Sequence, residues 1–306
     1  MSPARYPVDG KTVLITGAAR GIGAECARRL SARGARVALV GLEPDELART
    51  AESCGPGALW VEADVRDTDA LERAVAGTVE QLGGIDVVIA NAGVGTVGMV
   101  RSMDPEAFER TIEINLLGVW RTVRACLPHV IERRGYLLPV ASTGAAAHVP
   151  GMAAYSASKA GVEAFADSLR LELEHLGVDV GVAYFSWIAT DMVAGADEHP
   201  LGARMRAHVR GPIAKTYPVS AAVDAVVRGI ERRARWVVAP GWVRALLLAR
   251  NFIVPLAERD WKRIVPEVDL LAEQDLARRG PEASAAMGAG GEAADQADAA
   301  KAPSRS

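Results

Sequence analysis

A short β-branched run that leads into a glycine-rich segment constrains the fold of this chain more than any other feature. Residues 12–16 read Thr-Val-Leu-Ile-Thr, and Gly17, Gly21 and Gly23 follow in a Gly-x-x-x-Gly-x-Gly arrangement. An amphipathic helical pattern comes next. A strand, a glycine turn and a helix in this order let the backbone approach a pyrophosphate at the helix N-terminus. Because ordinary tight turns also carry such glycines, the motif gains its meaning from its place at the first strand–helix junction.

Strand-like and helix-like patterns alternate along the chain. Continuous Val, Ile and Leu runs predict strands at 12–16, 36–40, 58–62, 86–90, 136–141, 178–184 and 235–239. Amphipathic patterns predict helices at 21–33, 44–53, 67–82, 104–134, 153–176 and 218–233. Apolar strands that alternate with helices imply a parallel sheet covered on both faces. The predicted fold class is therefore α/β, a doubly wound parallel sheet (Rossmann fold) in a three-layer αβα sandwich with a C-terminal extension.

Tyr155 and Lys159 stand four residues apart near the start of a long predicted helix, and no other lysine occurs between Lys11 and Lys215. Residues four apart share a helix face, so the ammonium is expected beside the phenol hydroxyl. A free tyrosine, with a pKa of about 10, is a poor acid or base at neutral pH. A nearby cation lowers that pKa, as a general acid–base residue requires. The alternative is that these are two unrelated surface residues.

Together these features resemble the short-chain dehydrogenase/reductase family, over residues 8–240. The resemblance rests on motifs that occur in the family's order. They are Thr16, Gly17, Gly21 and Gly23 in the glycine turn, Asn91-Ala92-Gly93 after an apolar strand, and the catalytic positions Asn115, Ser142, Tyr155 and Lys159.

The resemblance implies an NAD(P)(H)-dependent oxidoreductase that interconverts a secondary alcohol and a ketone. Tyr155 would exchange a proton with the substrate oxygen, while Lys159 would lower the pKa of Tyr155 and bind the nicotinamide ribose. Ser142 would bind the substrate oxygen, and Asn115 would hold a water that passes protons to solvent. The alternative is a catalytically silent dinucleotide-binding regulatory protein on the same fold, against which the intact set of four residues argues.

The resemblance also implies a wider set of cofactor-binding residues. They are Gly17, Arg20, Gly21, Ile22, Gly23, Asp64, Val65, Asn91, Ala92, Gly93, Tyr155, Lys159, Ile188 and Thr190. Asp64 would bind the adenine amino group, and Thr190 the nicotinamide carboxamide. The chain has Phe185-Ser186 where the family usually has Pro-Gly, beside the nicotinamide face.

The choice between NAD and NADP depends on the end of the second predicted strand. An acid at this place holds the ribose 2′-hydroxyl and selects NAD, whereas this chain has Gly41. A glycine leaves room for a 2′-phosphate that Arg20 could pair with, which gives a slight preference for NADP. Glu43 could instead reach the ribose and favour NAD, or Arg20 could be a solvated turn residue.

Composition excludes several classes of partner and site. The net charge of −3 gives no basic face for nucleic acid. The three cysteines are widely spaced and form no Cys-x-x-Cys or Cys/His cluster, which predicts a reducing compartment and no metal. The N-terminus lacks the apolar core of a signal peptide, and no apolar run reaches the roughly 18 residues of a membrane span. A cytoplasmic location is therefore expected.

Three regions are predicted along the chain: a catalytic domain at 1–241, an apolar and helical extension at 242–279, and a tail at 280–306. For the apolar stretch 242–256 the alternatives are packing on its own domain or a sister subunit, weak membrane-surface contact, and a lid over the substrate cleft. The tail consists mostly of small and polar residues, so it is predicted to be disordered and dispensable.

The expected substrate is a small lipophilic alcohol or ketone. The loop 143–152 is small and apolar, and with Phe185, Trp187 and Met192 it should line a pocket with few charges. His148 is interpreted as a loop or lining residue, and 185–217 as an irregular substrate loop. By resemblance, a homo-oligomer (dimer or tetramer) is expected through the helices at 104–134 and 153–176.

Overall fold

The structure, a computed structural model, describes residues 6–301 of the chain. The predictions for residues 1–5 and 302–306 lie outside the described residues. The strands are β1 (Thr12–Thr16), β2 (Arg36–Gly41), β3 (Ala58–Glu62), β4 (Val87–Ala90), β5 (Tyr136–Pro139), β6 (Asp179–Val180), β7 (Val182–Phe185) and β8 (Trp236–Ala239). The α-helices are α1 (Gly21–Ser31), α2 (Pro44–Cys54), α3 (Thr68–Leu82), α4 (Pro105–Ile112), α5 (Gly118–Glu132), α6 (Ala153–Leu173), α7 (Asp191–Glu198), α8 (Pro200–His208), α9 (Val219–Arg232), α10 (Val243–Arg279) and α11 (Ala289–Lys301).

The sheet has the doubly wound topology that the alternating pattern predicts. Six parallel strands lie in the order β3-β2-β1-β4-β5-β6. β7 and β8 pair in parallel with each other, and a bridge between Val140 and Ala183 joins this pair to the end of β5. The strand order reverses between β1 and β4, and ligands of such sheets bind in the crevice at this point. The predicted fold class is confirmed.

Both faces of the sheet are covered because successive strand side chains point to opposite sides. In β1, Leu14 packs in one apolar layer, whereas Val13 and Ile15 pack in the other. Each of the three is at most 1% exposed. Burial of apolar surface contributes about 25 cal/mol per Å², so these two layers provide the main force that fixes the strand ends.

The predicted helix at 104–134 is interrupted between α4 and α5. Residues Glu113–Leu117 form a π-helical turn that carries Asn115. A π-turn inserts an extra residue into a helix and is frequent at functional sites. Periodicity alone did not predict it, because the apolar pattern continues on both sides.

The predicted strand at 178–184 is divided in two at Gly181. A Cβ at Gly181 would collide with the Tyr136 hydroxyl and the Ala234 carbonyl oxygen, so the chain bends there between β6 and β7. Tyr136 in turn donates its hydroxyl proton to the Ala234 carbonyl at 2.7 Å.

The region 185–217, expected to be irregular, contains two helices. α7 begins after Thr190, and α8 follows after His199. The His199 ring nitrogen Nδ1 accepts from the Leu201 amide at 3.2 Å and so caps α8. Histidine is an uncommon N-cap residue, so the residue type did not indicate a cap at this position.

The apolar stretch 242–256 belongs to α10, one helix that continues through Pro255 and Pro266. The side chains of this stretch that pack on the domain are Val243, Leu246 and Leu247. Those that stay exposed are Leu248, Phe252, Ile253 and Leu256. Within residues 6–301, no helix combines the length and apolar character needed to cross a membrane.

Residues 280–301, which we call the C-terminal segment, depart from the predicted disorder of 280–306. The segment consists of a 3₁₀ turn (Gly280–Ser284), a short connection and α11. Its buried side chains are Ala283, Ser284, Ala286, Met287 and Ala294. The Met287 amide donates to the Gly95 carbonyl oxygen at 2.9 Å. The small residues that suggested disorder instead allow the backbone to approach the domain closely.

Candidate active site

The turn between β1 and α1 requires its glycines. Gly17 and Gly21 have φ values of 64° and 56°, which residues with a side chain rarely adopt. A Cβ at Gly23 would collide with the Gly17 carbonyl oxygen. α1 begins at Gly21, and no side chain caps its N-terminus. The uncapped amides and the helix dipole suit an anionic pyrophosphate, so the turn fits a dinucleotide cofactor.

Thr16 and Asn91 fasten this turn to the end of β4. The Asn91 side-chain amide donates to the carbonyl oxygens of Thr16 and Gly17, both at 3.1 Å. The Thr16 hydroxyl oxygen accepts from the amides of Asn91 and Ala92 at 3.1 and 3.2 Å. Thr16 was included in the glycine-turn motif from the sequence, but no role in the site was assigned to it. Its position as the last residue of β1, next to the turn, is the signal that could have indicated such a role.

Ser142, Tyr155 and Lys159 come together at the same edge of the sheet. Ser142 follows β5, whereas Tyr155 and Lys159 lie in the first two turns of α6. Ser142 and Tyr155 line the same cleft, and the Ser142 hydroxyl oxygen accepts from the Gly144 amide at 3.1 Å. Lys159 Nζ lies 5.8 Å from the centre of the Tyr155 ring and donates to the Val140 carbonyl oxygen at 2.9 Å. The geometry thus matches the shared helix face that the spacing predicted.

Burial controls the protonation of both residues. Burial raises the pKa of Tyr155, and the polar Ser142 side chain opposes this only in part. Burial also lowers the pKa of Lys159 to about 8. The expected lowering of the Tyr155 pKa by Lys159 is therefore not the dominant effect in the protein alone. The physical reason is that removal of the phenolate from water costs more free energy than attraction to the more distant Lys159 ammonium supplies.

Asn115 is fully buried and holds backbone rather than Lys159. Its Oδ1 accepts from the Val94 amide at 2.8 Å, and its Nδ2 donates to the Val94 carbonyl at 2.9 Å. Nδ2 also donates to the Ser158 hydroxyl at 3.1 Å, and that hydroxyl donates to the Tyr155 carbonyl at 2.7 Å. The π-turn thus ties the segment after β4 to the start of α6.

One cleft brings together the predicted site residues, apart from Gly23 and Asn115. Its predicted lining residues are Gly17, Arg20, Gly21, Ile22, Asp64, Val65, Asn91, Ala92, Gly93, Ser142, Tyr155, Lys159, Ile188 and Thr190. Gly23 packs beneath the turn, and Asn115 lies behind Val94. A single cleft therefore holds both the dinucleotide-type turn and the predicted acid–base group, Ser142, Tyr155 and Lys159.

Arg20 does not stand free where it lines this cleft. Its guanidinium donates to the Glu43 carboxylate, through Nε at 3.1 Å and through Nη2, and Nη1 donates to Asp191 at 3.0 Å. Gly41, Leu42 and Glu43 line the cleft beside it. The 2′-phosphate partner that the sequence suggested is thus already paired with two carboxylates.

Phe185 and Ser186 line the cleft where the family usually has Pro-Gly. The Ser186 amide donates to the Ala239 carbonyl at 3.0 Å. The Ser186 hydroxyl is buried and has no hydrogen-bond partner among the described residues. A buried hydroxyl without a partner is costly, so this one is available to a bound molecule in the cleft.

The sequence did not assign the residues that the C-terminal segment contributes to the cleft. They are Met287, Gly290, Gly291, Ala293 and Ala294. Four of the five are Gly or Ala, which carry no recognisable motif and which composition assigned to a disordered tail. Only the packing of the segment identifies them.

His148 lies away from the acid–base group. It lines a second cavity between α6 and α10, together with Glu163 and Arg250. Arg250 Nη1 donates to Glu163 at 2.8 Å, which ties the two helices together. Among residues 6–301, no three His, Cys, Asp or Glu side chains are grouped so that they could hold a metal ion.

Comparisons with known proteins agree with this geometry. The family model for short chain dehydrogenases matches residues 11–200. (-)-trans-Carveol dehydrogenase of Rhodococcus erythropolis is 35% identical over 204 residues, 61% of this chain and 74% of that protein. 11-beta-Hydroxysteroid dehydrogenase 1A of Arabidopsis thaliana is 30% identical over 274 residues, 85% of this chain and 73% of that protein.

Among solved structures, the 3-ketoacyl-(acyl-carrier-protein) reductase from Brucella melitensis, complexed with NADH, superimposes with a TM-score of 0.69 and 26% identity. The match covers 76% of this chain and 97% of that structure. The family match over residues 11–200 agrees with the sheet order and the glycine turn. The chain therefore belongs to the short-chain dehydrogenase family, and it is an NAD(P)-dependent oxidoreductase that acts on CH–OH groups.

Proposed function

We propose that the protein interconverts a secondary alcohol and a ketone on a small lipophilic substrate, with Tyr155 as the acid–base residue. The observation that carries this proposal is that Ser142 and Tyr155 line one cleft with the buried Lys159, whose Nζ lies 5.8 Å from the centre of the Tyr155 ring. This group lies on the wall of the cleft that also contains the glycine turn. An acid–base group and a dinucleotide site in one cleft are what hydride transfer requires.

Tyr155 and Ser142 divide the work on the substrate oxygen. In oxidation Tyr155 removes the hydroxyl proton of the alcohol, and in reduction it returns that proton to the carbonyl oxygen. Ser142 donates a hydrogen bond to the same oxygen, where negative charge develops. The nicotinamide cofactor, when bound, accepts or supplies the hydride and adds positive charge beside the phenol in its oxidised form.

Lys159 is the positively charged side chain that the protein places near Tyr155. With a pKa of about 8, it remains mostly protonated at neutral pH. One of its three N–H groups is used by Val140, which leaves donors for the ribose hydroxyls. Asn115 acts as a positioning residue through Val94 and Ser158. Its predicted role in holding a proton-transfer water stays a prediction.

A lipophilic substrate suits the apolar walls beside Tyr155. Phe185, Ile188, Met192 and Met287 line the cleft there. Met side chains adapt to irregular apolar ligands at little cost. The names of two relatives, a carveol dehydrogenase and a hydroxysteroid dehydrogenase, support a substrate of this class.

A catalytically silent regulatory role is the less favoured alternative. A dinucleotide sensor would need the glycine turn, but it would have no use for a lysine buried beside a tyrosine. Burying that ammonium lowers its pKa to about 8, which is a cost to stability that the fold carries. Strained or costly groups of this kind are typical of catalytic sites.

We infer that the enzyme prefers NAD. Glu43 lines the cleft beside Gly41, and Arg20 is paired with Glu43 and Asp191. A ribose with a free 2′-hydroxyl can donate to the Glu43 carboxylate, whereas a 2′-phosphate would face its negative charge. The pairing of Arg20 removes the basis for the slight preference for NADP.

We also propose a homo-oligomer. Trp120 on α5 and Leu171 on α6 are 41% and 72% exposed, and α10 presents Leu248, Phe252 and Leu256 at four-residue spacing. Exposed apolar faces of this size are common at protein interfaces. A second copy of the chain would cover them symmetrically.

Substitution of Tyr155 by Phe should lower the rate of hydride transfer by about 100-fold or more, because the proton has no acceptor or donor at the substrate oxygen. Cofactor affinity should change little. Single-turnover kinetics over a panel of lipophilic alcohols and ketones, with cofactor titration alongside, measures both quantities. Retained turnover in this variant contradicts the proposed mechanism, and a parent protein without turnover on any panel member favours the regulatory role.

The Lys159→Met variant should reveal the cost of the buried ammonium. The folded-state pKa of Lys159 lies below its usual 10.5, so protonation penalises the folded state below about pH 8. This penalty, up to about 3 kcal/mol at 1.36 kcal/mol per pKa unit, falls between pH 8 and 10.5 and is absent above. The stability advantage of the variant over the parent should therefore shrink as pH rises through this window.

Denaturant unfolding of both proteins at pH 7, 9 and 10.5 provides the comparison, with Lys262→Met as a surface control. A difference in unfolding free energy that stays constant with pH would show that Lys159 is not perturbed.

Glu43→Gln should raise the affinity for NADP relative to NAD by about tenfold, which corresponds to about 1.4 kcal/mol. The change removes a like charge near the 2′-phosphate and leaves Arg20 with one acidic partner fewer. Equilibrium titration of both cofactors measures the ratio. Glu52→Gln, at the far end of α2, serves as the control and should leave the ratio unchanged. A parent protein that binds NADP more tightly than NAD would refute the inferred preference.

Light scattering at micromolar concentration should give the mass of a dimer or a tetramer, and a monomeric mass refutes the proposed assembly.

Liposome co-sedimentation tests the alternative that the exposed apolar face of α10 contacts a membrane surface. Phe252→Ser should leave sedimentation with liposomes unchanged, because the parent protein is expected to stay in the supernatant. Sedimentation of the parent that the substitution abolishes would assign this face to membrane contact instead.

A further inference from the structure

We propose that the C-terminal segment is a clasp over the cofactor: it forms the outer wall of the dinucleotide cleft and opens to release the bound molecule. The inference rests on the cofactor site proposed above. It adds residues 280–301 to that site, beyond the part of the chain that the family match covers.

The segment faces the glycine turn across the cleft. Gly290, Gly291, Ala293 and Ala294 of α11 line the same cavity as Gly17 and Gly21. None of these four side chains exceeds a methyl group, so the backbone of α11 lies close to the cavity. Met287, just before α11, is the large side chain that the segment contributes to the lining. The α11 helix spans about 20 Å at 1.5 Å per residue, so it can cover an extended ligand.

One end of the segment is anchored beside the acid–base group. The Met287 amide bonds to the Gly95 carbonyl at 2.9 Å, directly after the segment that Asn115 holds. Gly288 has a φ of 75°, and a Cβ there would collide with the Asp191 carbonyl and approach the Met192 amide to 2.8 Å. The backbone therefore lies directly against the start of α7. Only glycine permits this approach at position 288.

The other end is held by charge beside the predicted adenine position. Asp298 accepts from the Arg66 guanidinium, and Arg110 pairs with Asp295 and, at 3.5 Å, with Asp298. Arg66 also donates to Asp64, through Nη2 at 2.9 Å. The same arginine thus connects the clasp with the acid that would bind adenine.

These two anchors differ in strength, which defines how the clasp opens. The glycine contact near Met287 is close-packed, whereas Asp298 is 38% exposed and its ion pairs are accessible to salt. Partly exposed ion pairs contribute little individually and break readily. Opening therefore begins at the Asp298 end, and the closed form slows the departure of the cofactor.

The test measures the dissociation rate of NADH by stopped-flow fluorescence with the full chain. Asp298→Asn should raise this rate about two- to fivefold, the range expected for loss of a partly exposed ion pair. Asp260→Asn, which removes a more exposed acid paired with Arg263 on α10, should leave it unchanged.

Gly288→Ala displaces the other anchor and should raise the rate about tenfold or more, because the outer wall no longer lies on the cleft. Gly241→Ala is its control, since an added Cβ there meets no atom within 4 Å. Thermal unfolding of each variant confirms that the domain remains folded.

The outcomes separate the clasp from the cofactor site itself. A parent protein that binds neither NADH nor NADPH contradicts the proposed function. A parent that binds NADH, with Asp298→Asn and Gly288→Ala releasing it at the parent rate, overturns the clasp alone. Slower release or tighter binding in these variants also overturns it, because the segment would then obstruct the cleft rather than close it.

Discussion

The contact between the glycine turn and the end of β4 is the constraint on which the site depends. No side chain is tolerated at Gly23, because its Cβ would overlap the Gly17 carbonyl oxygen. That close approach lets Asn91 bind the carbonyls of Thr16 and Gly17, which fixes the turn to the neighbouring strand. The amides at the start of α1 then point into the crevice where the strand order reverses.

A second hydrogen-bonded unit connects this crevice with the acid–base group. Asn115 lies in a π-turn, and its side-chain amide binds both the Val94 backbone and the Ser158 hydroxyl. Ser158 is one residue before Lys159, so the position of α6 relative to β4 is set by a buried polar contact. Buried polar groups that lose their hydrogen-bond partners cost free energy. These bonds therefore favour this position of α6 over others with similar apolar packing.

The sequence predicted those parts of the structure that follow from local patterns. The apolar run at 12–16 and the glycines after it determine β1 and its turn, because the steric requirement concerns residues close in sequence. The pKa of Tyr155 could not be predicted in the same way: spacing placed Lys159 on the correct helix face, but burial depends on the whole fold. The C-terminal segment was missed for a related reason. Its small side chains offer little apolar surface to bury, and contacts such as that of Met287 with Gly95 hold it in place.

In the proposed arrangement, the cofactor lies between the glycine turn and the C-terminal segment, next to Tyr155. Hydrogen–deuterium exchange with and without saturating cofactor tests this directly, since it reports on each backbone segment separately. This arrangement predicts slower exchange both in peptides that contain 16–24 and in peptides that contain 286–296. Slower exchange in the first set together with unchanged or faster exchange in the second would contradict the closed arrangement, and no change in either would contradict the site.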